Sequence, residues 1–308
     1  MIIKIESVNI SEQKGTVKKP VDKITINAMG VAHDAHAGDW HRQVSMLACE
    51  SVEKFSKQAG REIGFGEFAE NLTVRGMNLV ETAPLDIFKF NEVVLEVTQI
   101  GKKCHGDNCA IFREVGNCVM PKEGIFCRVI NGGELKAGDT GQYEPKVFKI
   151  HVITLSDRAY KGVYEDRSGP AIETKAGQYF VDRKRNAEVK RTVIPDNAET
   201  LRNLLHELIP VTDFIFTTGG TGIAERDITP ETVKPFLTKE IPGIMEMIRV
   251  KYGSLKSNAL LSRGVAGLAG DTFIFTLPGS LKAVDEYLGE ILPMLEHMVY
   301  MKAGLDTH

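Results

Sequence analysis

The chain has 308 residues, 43% of them hydrophobic and 26% charged, with a formal net charge of -3; this is a soluble, globular composition, long enough for two domains that each bury a core. A balance so close to neutral supplies no general basic field, which argues against nucleic acid as a partner and leaves any anion to a local site. No apolar stretch approaches the length of a membrane helix, and the opening residues 1–7 carry Lys4 and Glu6 where a signal peptide would be uncharged, so a cytoplasmic location with no membrane contact is expected.

Up to about Tyr143 the chain reads as β-rich, with short alternating apolar runs such as residues 93–100 punctuated by glycines. One helix is predicted over residues 42–58, where Val44, Met46, Leu47, Val52 and Phe55 fit helical spacing better than alternation. Residues 131–139 read as a turn, a short strand and a second turn, and Pro145 marks a boundary. From Lys146 the texture becomes α/β: a strand over 148–155, a helix over 169–180, a strand over 189–194, and a helix over 198–208 capped by Asn197. The strand 213–216 then runs into a glycine-rich turn, and the strand 272–277 into Pro278, Gly279 and Ser280 before a final helix. This alternation predicts a doubly wound, largely parallel sheet over residues 146–308, with its site at the carboxyl edge of the strands, behind a β-rich domain over 1–144.

The turn is the most informative stretch. Residues 217–231 read Thr-Thr-Gly-Gly-Thr-Gly-Ile-Ala-Glu-Arg-Asp-Ile-Thr-Pro-Glu. Gly219, Gly220 and Gly222 permit a tight turn that brings backbone N–H groups up to an anion, and Thr221 lies among them. Thr229 is placed as the N-cap of a helix with Pro230 at its first position, so that the positive end of that helix would add to the site. A glycine turn alone more often just connects a strand to a helix, and neither the Walker A nor the dinucleotide fingerprint is present. Placed after four parallel strands, however, Ser156 to Arg158, Asp196, Gly219 to Asp227 and Pro278 to Ser280 should meet at one edge.

The string over 217–231 closely resembles the signature of the molybdenum cofactor biosynthesis proteins of the MogA/MoaB type, the molybdopterin adenylyltransferases. Ser-Asp-Arg at 156–158, Ile-Pro-Asp at 194–196, Leu-Ser-Arg at 261–263 and Leu-Pro-Gly at 277–279 extend the likeness over roughly residues 149–302. The resemblance implies transfer of AMP from ATP to the terminal phosphate of molybdopterin, with release of pyrophosphate and dependence on Mg2+. It implies Asp227 and Asp196 as the catalytic pair that holds the metal. Ser156, Arg158, Ser262, Arg263, Pro278, Gly279 and Ser280 would recognise the pterin and its phosphate, and the glycines would hold phosphate oxygens. It further implies a homotrimer and a molybdate-inserting enzyme as a partner.

The five cysteines are an odd number, and four of them fall between Cys104 and Cys127, which argues for thiol chemistry or metal over a disulfide framework. Their Cys-x4-Cys-x8-Cys-x8-Cys spacing lacks the paired short knuckles of structural zinc, and Cys127, in an apolar run, reads as a buried small hydrophobe. With the histidine-rich residues 33–41, Gly-Glu-Phe-Ala-Glu-Asn-Leu-Thr at 66–73 and residues 116–124, the first half resembles a MOSC domain, the molybdenum cofactor sulfurase C-terminal type. That resemblance implies a β-barrel-like fold that binds the molybdenum cofactor or carries sulfur on a cysteine. Cys104 matches the segment bearing the family's cysteine, with Cys109 its rival, and His36, His41 and Arg42 would supply the pocket for an anion. Lys102, Lys103 and His105 would lower the thiol pKa. Two rival readings stand beside the fused adenylyltransferase: a non-catalytic pterin carrier, and a cysteine-dependent sulfurtransferase whose second domain only docks the cofactor.

Overall fold

The computed structural model describes residues 2–102 and 119–305. They divide into two compact units, Met1–Lys146 with Tyr300–His308, and Val147–Val299.

The first unit contains β1 (Ile2–Ile10), β2 (Lys19–Val21), β3 (Lys23–Asn27), β4 (Gly30–Val31), β5 (Val44–Ala48), β6 (Leu72–Arg75), β7 (Ile87–Phe90), β8 (Val93–Ile100), β9 (Ile125–Asn131), β10 (Gly133–Lys136) and β11 (Thr140–Glu144). Seven strands run in the order β11-β7-β8-β9-β5-β6-β1, and β1 pairs back onto β11 with Ile3 opposite Gly141, so the sheet closes into a barrel. Closure removes the open edges that such a sheet would otherwise present. Its interior is filled by Ile3, Ile5, Met46, Phe88, Phe90 and Leu95, all fully buried. Strand β3 shows the simple alternation of a half-buried strand, Ile24 and Ile26 inward and the residues between outward.

The helix predicted over 42–58 begins later than its spacing suggests. Residues Val44–Ala48 form β5, parallel to β6 on one side and antiparallel to β9 on the other, and all five are buried. A strand covered on both faces shows no alternation, so its apolar run is indistinguishable by periodicity from a helical one. The helix proper is α1 (Cys49–Ala59), which packs Val52 and Phe55 inward and ends at Gly60 with φ of 66°. A short helix, α2 (Met120–Glu123), precedes β9. Cys127, in β9, is fully buried with Sγ 3.7 Å from Met46 Sδ, as a small hydrophobe would be.

The second unit is built on a six-stranded sheet of β12 (Val147–Leu155), β13 (Asn186–Ile194), β14 (Phe214–Thr218), β15 (Lys239–Glu240), β16 (Ala266–Ala269) and β17 (Thr272–Leu277), in the order β13-β12-β14-β17-β16-β15. The first four are parallel; β16 and β15 add an antiparallel edge. Helices α3 (Asp157–Tyr160), α4 (Ser168–Asp182), α5 (Ala198–Leu208), α6 (Thr229–Val233) and α7 (Pro242–Gly253) connect them, and α8 (Leu281–Ile291) follows the last strand. Every residue of β14 and β17 is buried, as central parallel strands covered on both faces require. Phe216 and Phe275 stack across them at 5.2 Å. Among the described residues no helix is long and apolar enough to cross a membrane.

Candidate active site

The register sets the site. Leu155 lies opposite Ile194, Thr154 opposite Thr218, and Thr218 opposite Leu277, so four parallel strands end level with one another. The chain leaves β12 in one direction for β13 and in the other for β14, which makes the carboxyl edge between β12 and β14 the point where the strand order reverses. The glycine turn starts there.

Gly219 enters the turn with φ of 102°, and its amide donates to Leu277 O at 3.0 Å. A Cβ at this position would run into the Leu155 carbonyl. Gly220 has φ of 63°, and a Cβ there would stand 2.5 Å from Thr229 Oγ1. Thr229 is the first residue of α6 rather than its cap: its hydroxyl donates to Gly219 O at 2.9 Å and its amide to Gly220 O at 3.0 Å. Since α6 has only five residues, the turn gains little from a helix dipole.

Arg263 completes the turn from behind. Its amide donates to Thr221 O at 3.0 Å, its Nε to Gly222 O at 2.6 Å and one Nη to Asp227 O at 2.6 Å, while the other Nη pairs with Glu231. All four carbonyls from Gly219 to Gly222 are thereby held by internal donors. The amides of Gly220, Thr221 and Gly222, by contrast, have no acceptor among the described residues. Backbone donors left in this state at a cavity are what an anion or water must satisfy.

That cavity has a volume of about 560 Å³. Gly219 to Gly222 and Asp227 line it together with Ser262 and the Pro278–Gly279–Ser280 loop, so these sequence-predicted residues are brought together. Thr218 Oγ1 ties the two loops by donating to Pro278 O at 2.9 Å. Asp227 is turned back on its own loop, with Oδ2 accepting from Ala224 N at 2.9 Å. Ser280 Oγ caps α8 by accepting from Ala283 N at 3.3 Å.

Four predicted residues do not line the cavity. Ser156 Oγ accepts from Ala159 N at 3.2 Å and caps α3. Arg158 lies 5.4 Å from the Tyr164 ring centroid. Asp196 and Asp157 exchange hydrogen bonds, each carboxylate accepting from the other's amide, at 3.1 and 3.3 Å. Two strand spacings put Asp196 about 10 Å from the glycine turn, beyond direct contact. Arg263 serves the turn rather than the cavity.

The cavity also holds residues that the sequence motifs did not signal: Tyr252, Lys256, Asn258, Lys282, Glu286 and Tyr287. Tyr287 donates to Ser262 Oγ at 2.8 Å. Burial raises its phenol above the ordinary value, and with Tyr287 as the donor the Ser262 hydrogen is left for a ligand acceptor. Tyr252 donates to Glu290 at 2.8 Å, and burial followed by that carboxylate pushes its phenol up to about 12.

In the first unit, His36 lies against a buried ion pair. Lys18 Nζ meets Asp34 Oδ2 at 2.5 Å with both side chains sealed from solvent, and His36 Nδ1 lies 3.4 Å from Asp34 Oδ1. Burial would raise the Asp34 carboxyl, but the hydrogen bonds from His36 and the Lys18 charge hold it well below the usual carboxylate range. Arg42 stacks 4.8 Å from the Trp40 centroid, and its buried Nε has no acceptor among the described residues. The carbonyl of His41 accepts from Thr98 Oγ1 at 2.5 Å. Cys104 and Cys109 lie outside the described residues, and among those residues no group of three or more His, Cys, Asp or Glu side chains is arranged for a metal.

Comparison with known proteins agrees with the two halves. Residues 151–297 match the family described as "Probable molybdopterin binding domain", and residues 33–141 match the MOSC domain. A molybdopterin adenylyltransferase of Helicobacter pylori is 36% identical over 157 residues, covering 50% of this chain and 88% of that protein. The molybdenum cofactor synthesis protein cinnamon of Drosophila melanogaster is 37% identical over 152 residues, which are 49% of this chain and 25% of that one. Gephyrin of Dictyostelium discoideum is 34% identical over 173 residues, 54% of this chain and 24% of its own. The chain thus spans about a quarter of the length of these two larger relatives.

Proposed function

The chain belongs to the molybdopterin-binding family that includes the molybdopterin adenylyltransferases, and from that premise we propose that its second unit transfers AMP from ATP to the terminal phosphate of molybdopterin and releases pyrophosphate. The observation that carries this reading is the glycine turn, whose carbonyls are all engaged internally while three amides beside the cavity have no acceptor among the described residues. Such a nest suits a phosphate oxyanion. Joining two phosphoryl groups needs positioning and charge neutralisation more than a strong nucleophile, and among the described residues no histidine lines this cavity.

The donor set fits a hard divalent cation. Asp227 Oδ1 accepts from no described donor, and the Asp196 carboxylate keeps one oxygen likewise uncommitted. One or two carboxylates with substrate oxygens completing the shell is the usual environment of Mg2+. Asp227 would hold it, and the ion would supply neutralisation of the phosphoryl oxygens; Asp196, two strands away and outside the cavity, is out of reach of the same ion as the chain stands. Around it the chain's own groups orient the substrates: the turn amides hold the monoester, while Ser262, with its proton directed outward by Tyr287, and the Pro278–Ser280 loop meet the pterin.

For the first unit we propose binding of the molybdenum cofactor through its phosphate, supported by Arg42, whose buried Nε is without a described acceptor, with His36 and His41 as further candidate contacts. The transfer reading is tested with Asp227→Asn. Pyrophosphate release from ATP with molybdopterin present should fall by on the order of a hundredfold or more, the usual scale for losing one electrostatic stabiliser, while molybdopterin binding persists. Unchanged release in the variant would remove Asp227 from the reaction, and no release by the wild type would make the unit a carrier.

A further inference from the structure

The glycine turn leaves two cations of the cavity without a role. Lys256, three residues beyond α7, and Lys282, in the first turn of α8, both line it and both are exposed. They line the same cavity, and Lys282 is the main reason that the Lys256 ammonium sits below its ordinary value. Glu286 is 3.7 Å from Lys282 Nζ. That carboxylate offsets one of the two charges, and an exposed pair at this distance holds weakly. Two like charges gathered in one cavity repel until an anion carrying more than one charge lies between them.

The two anion holders differ in kind. Three backbone amides fixed in a turn form a rigid concavity matched to a single tetrahedral phosphate. Two ammonium groups on flexible four-carbon stems act as point charges, tolerant of geometry and suited to an extended phosphate chain.

We propose that Lys256 and Lys282 form a polyphosphate subsite, which takes the β and γ phosphates of the nucleotide and leaves the glycine turn to the phosphate monoester. This rests on the reading that AMP passes to a monoester in this cavity. In that step an oxygen of the monoester forms a bond to the α phosphorus and the bridging bond between the α phosphorus and the β-phosphate oxygen breaks. The electron pair leaves on pyrophosphate, whose charge the two lysines neutralise.

Calorimetric binding of magnesium pyrophosphate and, separately, of molybdopterin to the full chain tests the assignment in wild type, Lys256→Ala and Lys282→Ala. Both side chains are exposed, so the variants should fold. Each alanine is expected to weaken pyrophosphate by on the order of tenfold, the scale of one charged contact, and to leave molybdopterin affinity within about twofold of wild type. Pyrophosphate affinity equal to wild type in both variants overturns the subsite even if AMP transfer is intact. A loss confined to molybdopterin overturns it too, by giving the lysines to the monoester. Absence of AMP transfer in the wild type would instead remove the reading beneath it.

Discussion

Arg263 illustrates how a residue named by its motif can do something other than its charge suggests. The Leu-Ser-Arg string marked it as a forked donor to substrate, yet its donors go to the carbonyls of Thr221, Gly222 and Asp227 and to Glu231. It is a positioning residue for the turn, and only a planar guanidinium reaches several acceptors at once. Arg263→Lys is therefore expected to leave the fold intact and weaken binding of a phosphate monoester by on the order of tenfold or more, measured by calorimetry with molybdopterin. Affinity equal to wild type would show that the turn holds its shape without the fork. In the first unit, Lys18 and Asp34 pose a different single-residue test. Breaking a sealed ion pair from one side leaves the other charge buried, so Lys18→Met should destabilise the barrel by about 3–5 kcal/mol. Urea unfolding of the full chain reads this as a shift confined to one of two transitions, and no shift would mean that Asp34 finds another partner.

At the scale of elements, the glycine turn was legible because its chemistry is local: three glycines, a threonine and an aspartate within a few residues of a strand end. Its supports were only partly so. Thr229 reads from sequence as a helix cap, whereas its hydroxyl binds Gly219 O, and the helix it opens runs for only five residues. The strand over Val44–Ala48 was hidden for the opposite reason, since burial on both faces erases the alternation that marks a strand. Tyr252, Lys256, Lys282 and Tyr287 escaped notice because their convergence on one cavity depends on α7 packing beside α8, where Tyr252 donates to Glu290 at 2.8 Å, and no short motif records that. Gly220→Ala tests the turn as an element. A left-handed φ of 63° with a Cβ 2.5 Å from Thr229 Oγ1 should lower the stability of the second unit by about 1 kcal/mol or more. It should also displace the amides enough to abolish measurable phosphate binding; an alanine variant with wild-type melting and binding would refute the geometry ascribed to this position.

The whole molecule joins a closed barrel to a doubly wound sheet; strands alternating with helices made the second readable, whereas short alternating runs marked the first half only as β-rich and its barrel came from the MOSC resemblance. The arrangement at the sheet edge was readable as a convergence of loops but not as distances. Asp196 and Asp227 follow β13 and β14, which β12 separates, and strand spacing puts Asp196 about 10 Å from the start of the glycine turn, a gap that the substrates would have to span. The account therefore turns on whether two phosphoryl groups do meet there. ATP labelled in its α phosphate, incubated with the full chain, Mg2+ and molybdopterin, tests this most directly. The account predicts label transferred to the pterin with one pyrophosphate released for each transfer; label that stays in ATP, or that appears only as free AMP, would contradict it.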